Sequence, residues 1–150
     1  MVVFTTHFFN DLDLRTFHDL VALRCEVFVV EQNCVYQELD GKDVRCHHVI
    51  GRAENGHIVA TARIVPPGLS YKEVAIGRVV VALSHRNTHL GHRLMEAVLQ
   101  SVKVQYGDVP VRISAQRHLA DFYTKHGFES TGKEYMEDGI PHVEMLRVAD

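Results

Sequence analysis

Between residues 74 and 83 the chain is apolar and β-branched, interrupted only by Gly77 and Arg78. Such a run suits a central strand covered on both faces. A short polar stretch, residues 84–89, follows it. Apolar positions then recur at Leu90, Leu94, Ala97, Val98 and Val102, the spacing of one helix face. The pattern predicts strand, tight loop, helix. A helix start carries unpaired backbone N–H groups and the positive end of the macrodipole, so this junction is a ready anion site.

The same patterning predicts elements along the rest of the chain. Residues 2–9 have strand composition, and Asp11 or Asp13 caps the helix that follows. That helix extends roughly to Phe28, with Leu14, Phe17, Leu20, Val21 and Phe28 toward the core and Arg15, His18 and Asp19 toward water. Residues 29–43 have no clean period, are rich in carboxylates and turn at Leu39-Asp40-Gly41. A long polar connection inside a compact domain is often functional. Asn55-Gly56 divides two strand-like runs, 48–54 and 57–65, and predicts a type I′ hairpin with positive φ at both turn residues. Pro66-Pro67-Gly68 ends it. The helix from Leu90 extends to about Tyr106, a strand covers 109–114, and a short helix over 119–126 stops at Gly127. Two last strands, 128–136 and 142–148, flank Asp138-Gly139 in a loop longer than a tight turn.

Composition narrows the class. A chain of 150 residues suffices for one domain with a real core, and no repeat or linker divides residues 1–150. Hydrophobic residues make up 46% and charged residues 23%, as in ordinary globular proteins. A net charge of -3 gives no general attraction to nucleic acid. No apolar run reaches membrane-span length, and the N-terminus lacks the marks of a signal peptide, so no membrane association is expected. Cys25, Cys34 and Cys46 are odd in number and lack a C-x-x-C pair, which reads as reduced thiols of a cytoplasmic protein.

The order β-α-β-β-β-α-β-α-β-β, with Arg86-Asn87-Thr88-His89-Leu90-Gly91 at its centre, resembles the GNAT N-acetyltransferases over nearly the whole chain. The loop is similar to the family's pyrophosphate motif R/Q-x-x-G-x-G/A, with His89 where the first glycine usually sits. Residues 122–128, FYTKHGF, resemble the F/L-Y-x-x-x-G-F motif, and Gln116 stands where the family often has Asn. The segments FVVEQNC at 28–34, ELDG at 38–41, IGRV at 76–79, Ala115-Gln116 with His118-Leu119, and EDGIPH at 137–142 are similar to the ElaA-like subgroup. The resemblance implies an α/β (α+β) fold: a mixed, mostly antiparallel sheet of about six to seven strands, flanked by helices and splayed at the central strand.

It further implies an acetyl-CoA-dependent N-acetyltransferase. Backbone groups of Val79, Val80 and Val81 would bind pantetheine like an added strand. Residues Arg86, Asn87, Thr88, His89, Leu90, Gly91 and His92 would hold the pyrophosphate, Gln116 would also bind the cofactor, and Tyr123 would lie close to the coenzyme A sulfur. Tyr123 is the expected proton donor to the leaving thiolate. The alternative is a core aromatic whose hydroxyl finds a backbone partner. Glu73, at the start of the central strand, stands nearest the position of the family's catalytic carboxylate; Glu31, His118 and His142 are other candidates for the base. Arg63 and Arg78 should flank the substrate cleft together with Glu31, His118 and His142. An arginine on an apolar strand needs a partner, either an acidic substrate group or Glu31 or Glu134. His85, His89 and His92 have spacings that could converge, but no carboxylate or cysteine joins them, so no metal is expected. A non-catalytic acyl-CoA sensor of the same fold is the rival reading. The acceptor stays open among small amines, antibiotics, polyamines, protein lysines and N-termini, and a homodimer through the terminal strands is in keeping with related folds.

Overall fold

Asp13 starts the first helix: its carboxylate accepts a hydrogen bond from the Thr16 N–H at 2.7 Å. In the computed structural model, which describes residues 1–150, β1 (Val3–Phe8) leads into α1 (Leu14–Cys25). Regular α-helical bonding stops at Cys25 and widens into a π-helical stretch, Glu26–Glu31. An irregular segment follows, then β2 (His47–Arg52), β3 (Ile58–Val65) and β4 (Val74–Val81). The second half consists of α2 (Leu90–Tyr106), β5 (Val111–Gln116), α3 (Ala120–Thr124), β6 (Glu129–Glu137) and β7 (Ile140–Arg147). One seven-stranded sheet results, in the order β1-β2-β3-β4-β5-β7-β6. Every neighbouring pair is antiparallel except β4 and β5, which run parallel and pair only at Val74↔Val111 and Ala75↔Arg112. The sheet therefore splays just where the expected topology splits it.

Two turns exchange the roles their sequences predict. At Asn55-Gly56 only Gly56 has positive φ, +86°, and the turn closes through Gly56 N–H to Ala53 O. That is a longer loop ending on a left-handed glycine, not a type I′ turn. Asp138 and Gly139 both have positive φ, +50° and +78°, and sit between the paired residues Glu137 and Ile140. This is the tight two-residue hairpin. It brings the β6–β7 connection close to Cys34, whose thiol lies 3.5 Å from the Asp138 carbonyl.

The sheet carries different chemistry on its two faces. On one, Leu90, Leu94, Met95, Val98 and Val102 of α2 pack with Ile64, Ile76, Ile113 and Met145 in the main apolar core. On the other, α1 contributes only Leu20 and Arg24 as fully buried side chains, and Leu14, expected in the core, is 91% exposed. Arg24 is the centre of an ionic cluster. Its Nε donates to Glu38 Oε2 at 2.6 Å, and its Nη1 and Nη2 donate to Asp43 at 2.8 and 3.0 Å. Arg63 forks onto Asp40 at 2.6 and 2.9 Å and reaches Asp43 at 3.1 Å. Arg78 donates to Glu38 at 2.8 Å and lies over the Tyr36 ring. Arg24, Arg63 and Arg78 thus meet Glu38, Asp40 and Asp43, three charges against three. The expected partners Glu31 and Glu134 are not involved; Glu134 pairs with Arg117 at the surface.

A buried ion cluster adds little net stability when whole, but removing one member strands the others in low dielectric. Arg24→Ala is therefore expected to cost about 3–5 kcal/mol in urea unfolding. Burial pushes the Asp40 and Asp43 carboxyls up, yet bonds and charge from Arg63 and Arg24 outweigh it and hold both below the usual range. A carboxyl lowered in the folded state contributes stability above its unfolded value, about 4, and loses it as pH falls. Melting temperature should accordingly drop with pH below about 4, and less steeply in Asp40→Asn.

Candidate active site

The splay opens a cleft of about 1030 Å³ between β4 and β5. Beyond Ala75, the β5 side of β4 has no neighbouring strand, so that edge of the strand faces the cleft. Register between β3 and β4 shifts by one residue: Arg63 pairs with Gly77, but Thr61 pairs with Val80. The extra residue is a bulge at Arg78, whose φ is +50°. A left-handed arginine costs about 1 kcal/mol, and the Glu38 ion pair and Tyr36 ring hold it there. Gly77 itself has room: a Cβ there would meet only Arg63 Nε, at 3.9 Å. Of the three valines that follow, Val80 is buried, Val79 and Val81 are half-buried, and all line the cleft.

The strand ends in the loop at 82–89. Arg86 Nε donates to the Val81 carbonyl at 3.1 Å, and its two terminal nitrogens grip Glu31. That contact lowers the Glu31 carboxyl and ties the π-helical stretch to the loop. Thr88 Oγ1 caps the His85 carbonyl at 2.6 Å. Asn87 and His89 are both left-handed, at φ +63° and +61°. His89 is the N-cap of α2, and its side chain makes no capping bond. None of the backbone N–H groups of residues 87–92 has an acceptor within the protein. They lie at the positive end of α2, and this array is suited to a polyanion.

The first turn of α2 rests on α3. A Cβ on Gly91 would meet Phe122 at 3.4 Å, so the glycine permits a close approach. Leu90 is buried in the core, leaving its N–H as its contribution to the loop. His92 stacks on Phe122 at 4.8 Å and bonds His126, Nδ1 to Nε2, at 2.9 Å. Burial, then the neighbouring His92, lowers the His126 imidazole below its ordinary value. Tyr123 lies between Phe122 and Phe128, edge-on to each, with only 7% of its surface exposed. Burial pushes its phenol up to about 12. It lines the cleft, and its hydroxyl has no hydrogen-bond partner in the protein, unlike a core tyrosine with a backbone partner.

The other sequence-predicted residues divide. Glu31, Arg63, Arg78, Gln116, His118 and His142 all line the cleft, with Gln116 donating to Gln32 at 3.4 Å. Arg63 and Arg78 are engaged with Asp40, Asp43 and Glu38, so they shape the wall rather than wait for an acidic ligand. Glu73 is not on the cleft lining. Arg112 binds both of its oxygens, at 3.0 and 2.8 Å, and chiefly this contact holds the carboxyl down at about 2. A carboxylate so committed is a poor proton acceptor at neutral pH. Tyr36, Tyr71, Ser114 and Glu137 join the lining without having been singled out from sequence. No group of three or more His, Cys, Asp or Glu side chains is arranged to hold a metal ion.

Comparison with known proteins bears on this arrangement. The family model of the acetyltransferase (GNAT) domain matches residues 17–148. The chain is 41% identical to protein ElaA of Escherichia coli over 140 residues, 92% of this chain and 91% of that protein. It superimposes on an acyl-CoA N-acyltransferase from Pseudomonas aeruginosa with a TM-score of 0.93 and 41% identity, covering 99% of this chain and 100% of the other. The crystal structure of Escherichia coli ElaA gives a TM-score of 0.91 at 38% identity, covering 98% and 99%.

The left-handed N-cap predicts how position 89 tolerates change. Glycine adopts this backbone freely, so His89→Gly should stay within about 1 kcal/mol of the parent in stability and keep or improve acetyl-CoA affinity. A β-branched residue is strained there, and His89→Val should lose about 1–3 kcal/mol. Calorimetry and urea unfolding read both. A large loss of affinity in His89→Gly would make the imbalance run the other way and assign the imidazole a direct part in anion binding.

Proposed function

Because the chain belongs to the GNAT acetyltransferase family, we propose that it moves an acetyl group from acetyl-CoA to a primary amine by direct attack in a ternary complex. The observation that carries the reading is one continuous feature: the free edge of β4 runs into the unpaired N–H groups of residues 87–92. The main-chain groups of Val79 and Val81, on the edge of β4 away from β3, pair with the pantetheine amides as an added strand would, while those of Val80 bond Thr61 of β3. The N–H groups and the α2 dipole then receive the pyrophosphate. Asn87, Thr88 and Leu90 contribute backbone, while Gly91 keeps side-chain atoms away.

Acetyl transfer forms an N–C bond and breaks a C–S bond. Negative charge develops on sulfur as it leaves, and the amine must give up a proton. Tyr123 supports the first need. A phenol raised to about 12 is protonated at neutral pH, and its unpartnered hydroxyl can donate to the thiolate. Much of the remaining acceleration comes from holding amine and thioester in line within the cleft. The unpaired thiols of Cys25, Cys34 and Cys46 support a reducing, cytoplasmic setting.

Calorimetry with acetyl-CoA, followed by thiol release in the presence of an amine panel, tests the reading. Absence of acetyl-CoA binding would sink it. Binding without transfer to any amine would favour an acyl-CoA-binding module instead. A sharper expectation concerns Tyr123→Phe, which keeps the ring and removes the donor. Its kcat should fall about 10²-fold while acetyl-CoA Kd holds. A tyrosine serving only the core would lower the melting temperature and leave kcat intact.

A further inference from the structure

Transfer by direct attack leaves one proton without an assigned destination, the one on the acceptor amine. The cleft carboxylate Glu31 is gripped by Arg86, and Glu38 is bound by Arg24 and Arg78. Glu73 lies off the cleft against Arg112. His85, His89 and His92 belong to the loop end, and His118 is exposed with no hydrogen-bond partner. One cleft histidine differs from these in being both buried and oriented.

His142 is 7% exposed and lies on β7, paired across the sheet with Gln116 of β5 and Tyr135 of β6. Its Nδ1 is 2.8 Å from the Ile140 carbonyl, which fixes the ring plane. The Tyr135 ring stacks on it, 15° from parallel, and Tyr135 OH is in turn anchored on Ser114. Its Nε2 is 3.3 Å from Glu137 Oε2. Nδ1 is thus hydrogen-bonded to a carbonyl, and a carboxylate stands beside Nε2 without a hydrogen bond to it. Glu137 is half-exposed and has no other ion-pair partner, so it can turn to water while Nε2 offers its lone pair to the cleft. Glu144, two residues along β7, bonds Arg112 of β5, and Tyr71 of the β3–β4 connection and Asp138 also line the cleft.

We propose that His142 Nε2 is the general base of the reaction, a claim that rests on the acetyltransfer reading above. Nε2 takes a proton from the amine nitrogen as that nitrogen bonds the acetyl carbon. The C–S bond breaks, its electron pair stays on sulfur, and sulfur takes the Tyr123 phenolic proton to become the thiol, the phenolate being reprotonated from water. The imidazolium, held between Ile140 O and Glu137, returns its proton to water. Ile140 and Glu137 are positioning residues: one orients the ring and the other receives the charge it gains.

The test uses the full chain with acetyl-CoA and the fastest of three probe amines: spermidine, phenethylamine and a peptide with a free N-terminus. His142→Gln and His142→Ala are compared with the parent for kcat, acetyl-CoA Kd and melting temperature. The proposal expects kcat to fall about 10²–10⁴-fold with Kd unchanged, and added imidazole to restore part of the rate in His142→Ala. Retained kcat in His142→Gln overturns it. So does a loss in both variants that imidazole does not rescue, which would assign His142 to packing. Failure of the parent to acetylate any of the three amines overturns this proposal together with the reading beneath it.

Discussion

β4 and β5 are the only parallel neighbours in the sheet, and they exchange hydrogen bonds at Val74↔Val111 and Ala75↔Arg112 alone. An unpaired main-chain edge inside a protein is costly unless water or a ligand takes the place of the missing strand. Here the edge opens on a cleft, so its groups stay solvated, and the strand geometry that would receive an extended ligand is preserved. The bulge at Arg78 adds one residue to β4 just past the last β5 contact. It turns the strand at the point where the splay begins.

Keeping two halves of a sheet apart demands rigid walls. On one face α2 and α3 fill the gap with an apolar core, in which Gly91 seated against Phe122 sets how closely the two helices approach. On the other, the wall is an irregular segment whose Val35, Leu39 and Val44 stay exposed. The six charges around Arg24 fix it to α1, β3 and β4. The Arg86–Glu31 pair closes the same wall onto the loop at 82–89. The walls thus use opposite chemistries, burial of hydrocarbon on one side and compensated charge on the other.

The periodic parts of this structure were legible in sequence. The apolar run at 74–83, the helical spacing from Leu90 and the order of elements all appear where the pattern places them. What escaped was long-range or a matter of φ. Arg24 lies one turn after Leu20 on the core side of α1, and its burial was not legible because its partners Glu38 and Asp43 lie in a segment with no period of its own. Asn55-Gly56 carries the stronger hairpin signal, yet Asp138-Gly139 makes the tight turn, since turn length is set by where the paired strands end. Of the candidate site, Arg86, Asn87, His89, Leu90, Gly91 and Tyr123 fall on the cleft, while Thr88 lies off its lining. Glu73 was placed by strand position alone, and Arg112, distant in sequence, takes up its charge. Arg63 and Arg78 were read as arginines in need of partners, but those partners are Glu38, Asp40 and Asp43 in place of Glu31 or Glu134.

In the proposed function one edge and one loop receive a single extended cosubstrate. Amide hydrogen exchange, measured residue by residue with and without acetyl-CoA, tests that claim most directly. Slowed exchange confined to residues 79–81 and 87–92 is predicted, with the β1 and β6 edges unchanged. Unaltered exchange at both segments, or protection appearing only elsewhere on the sheet, would contradict it.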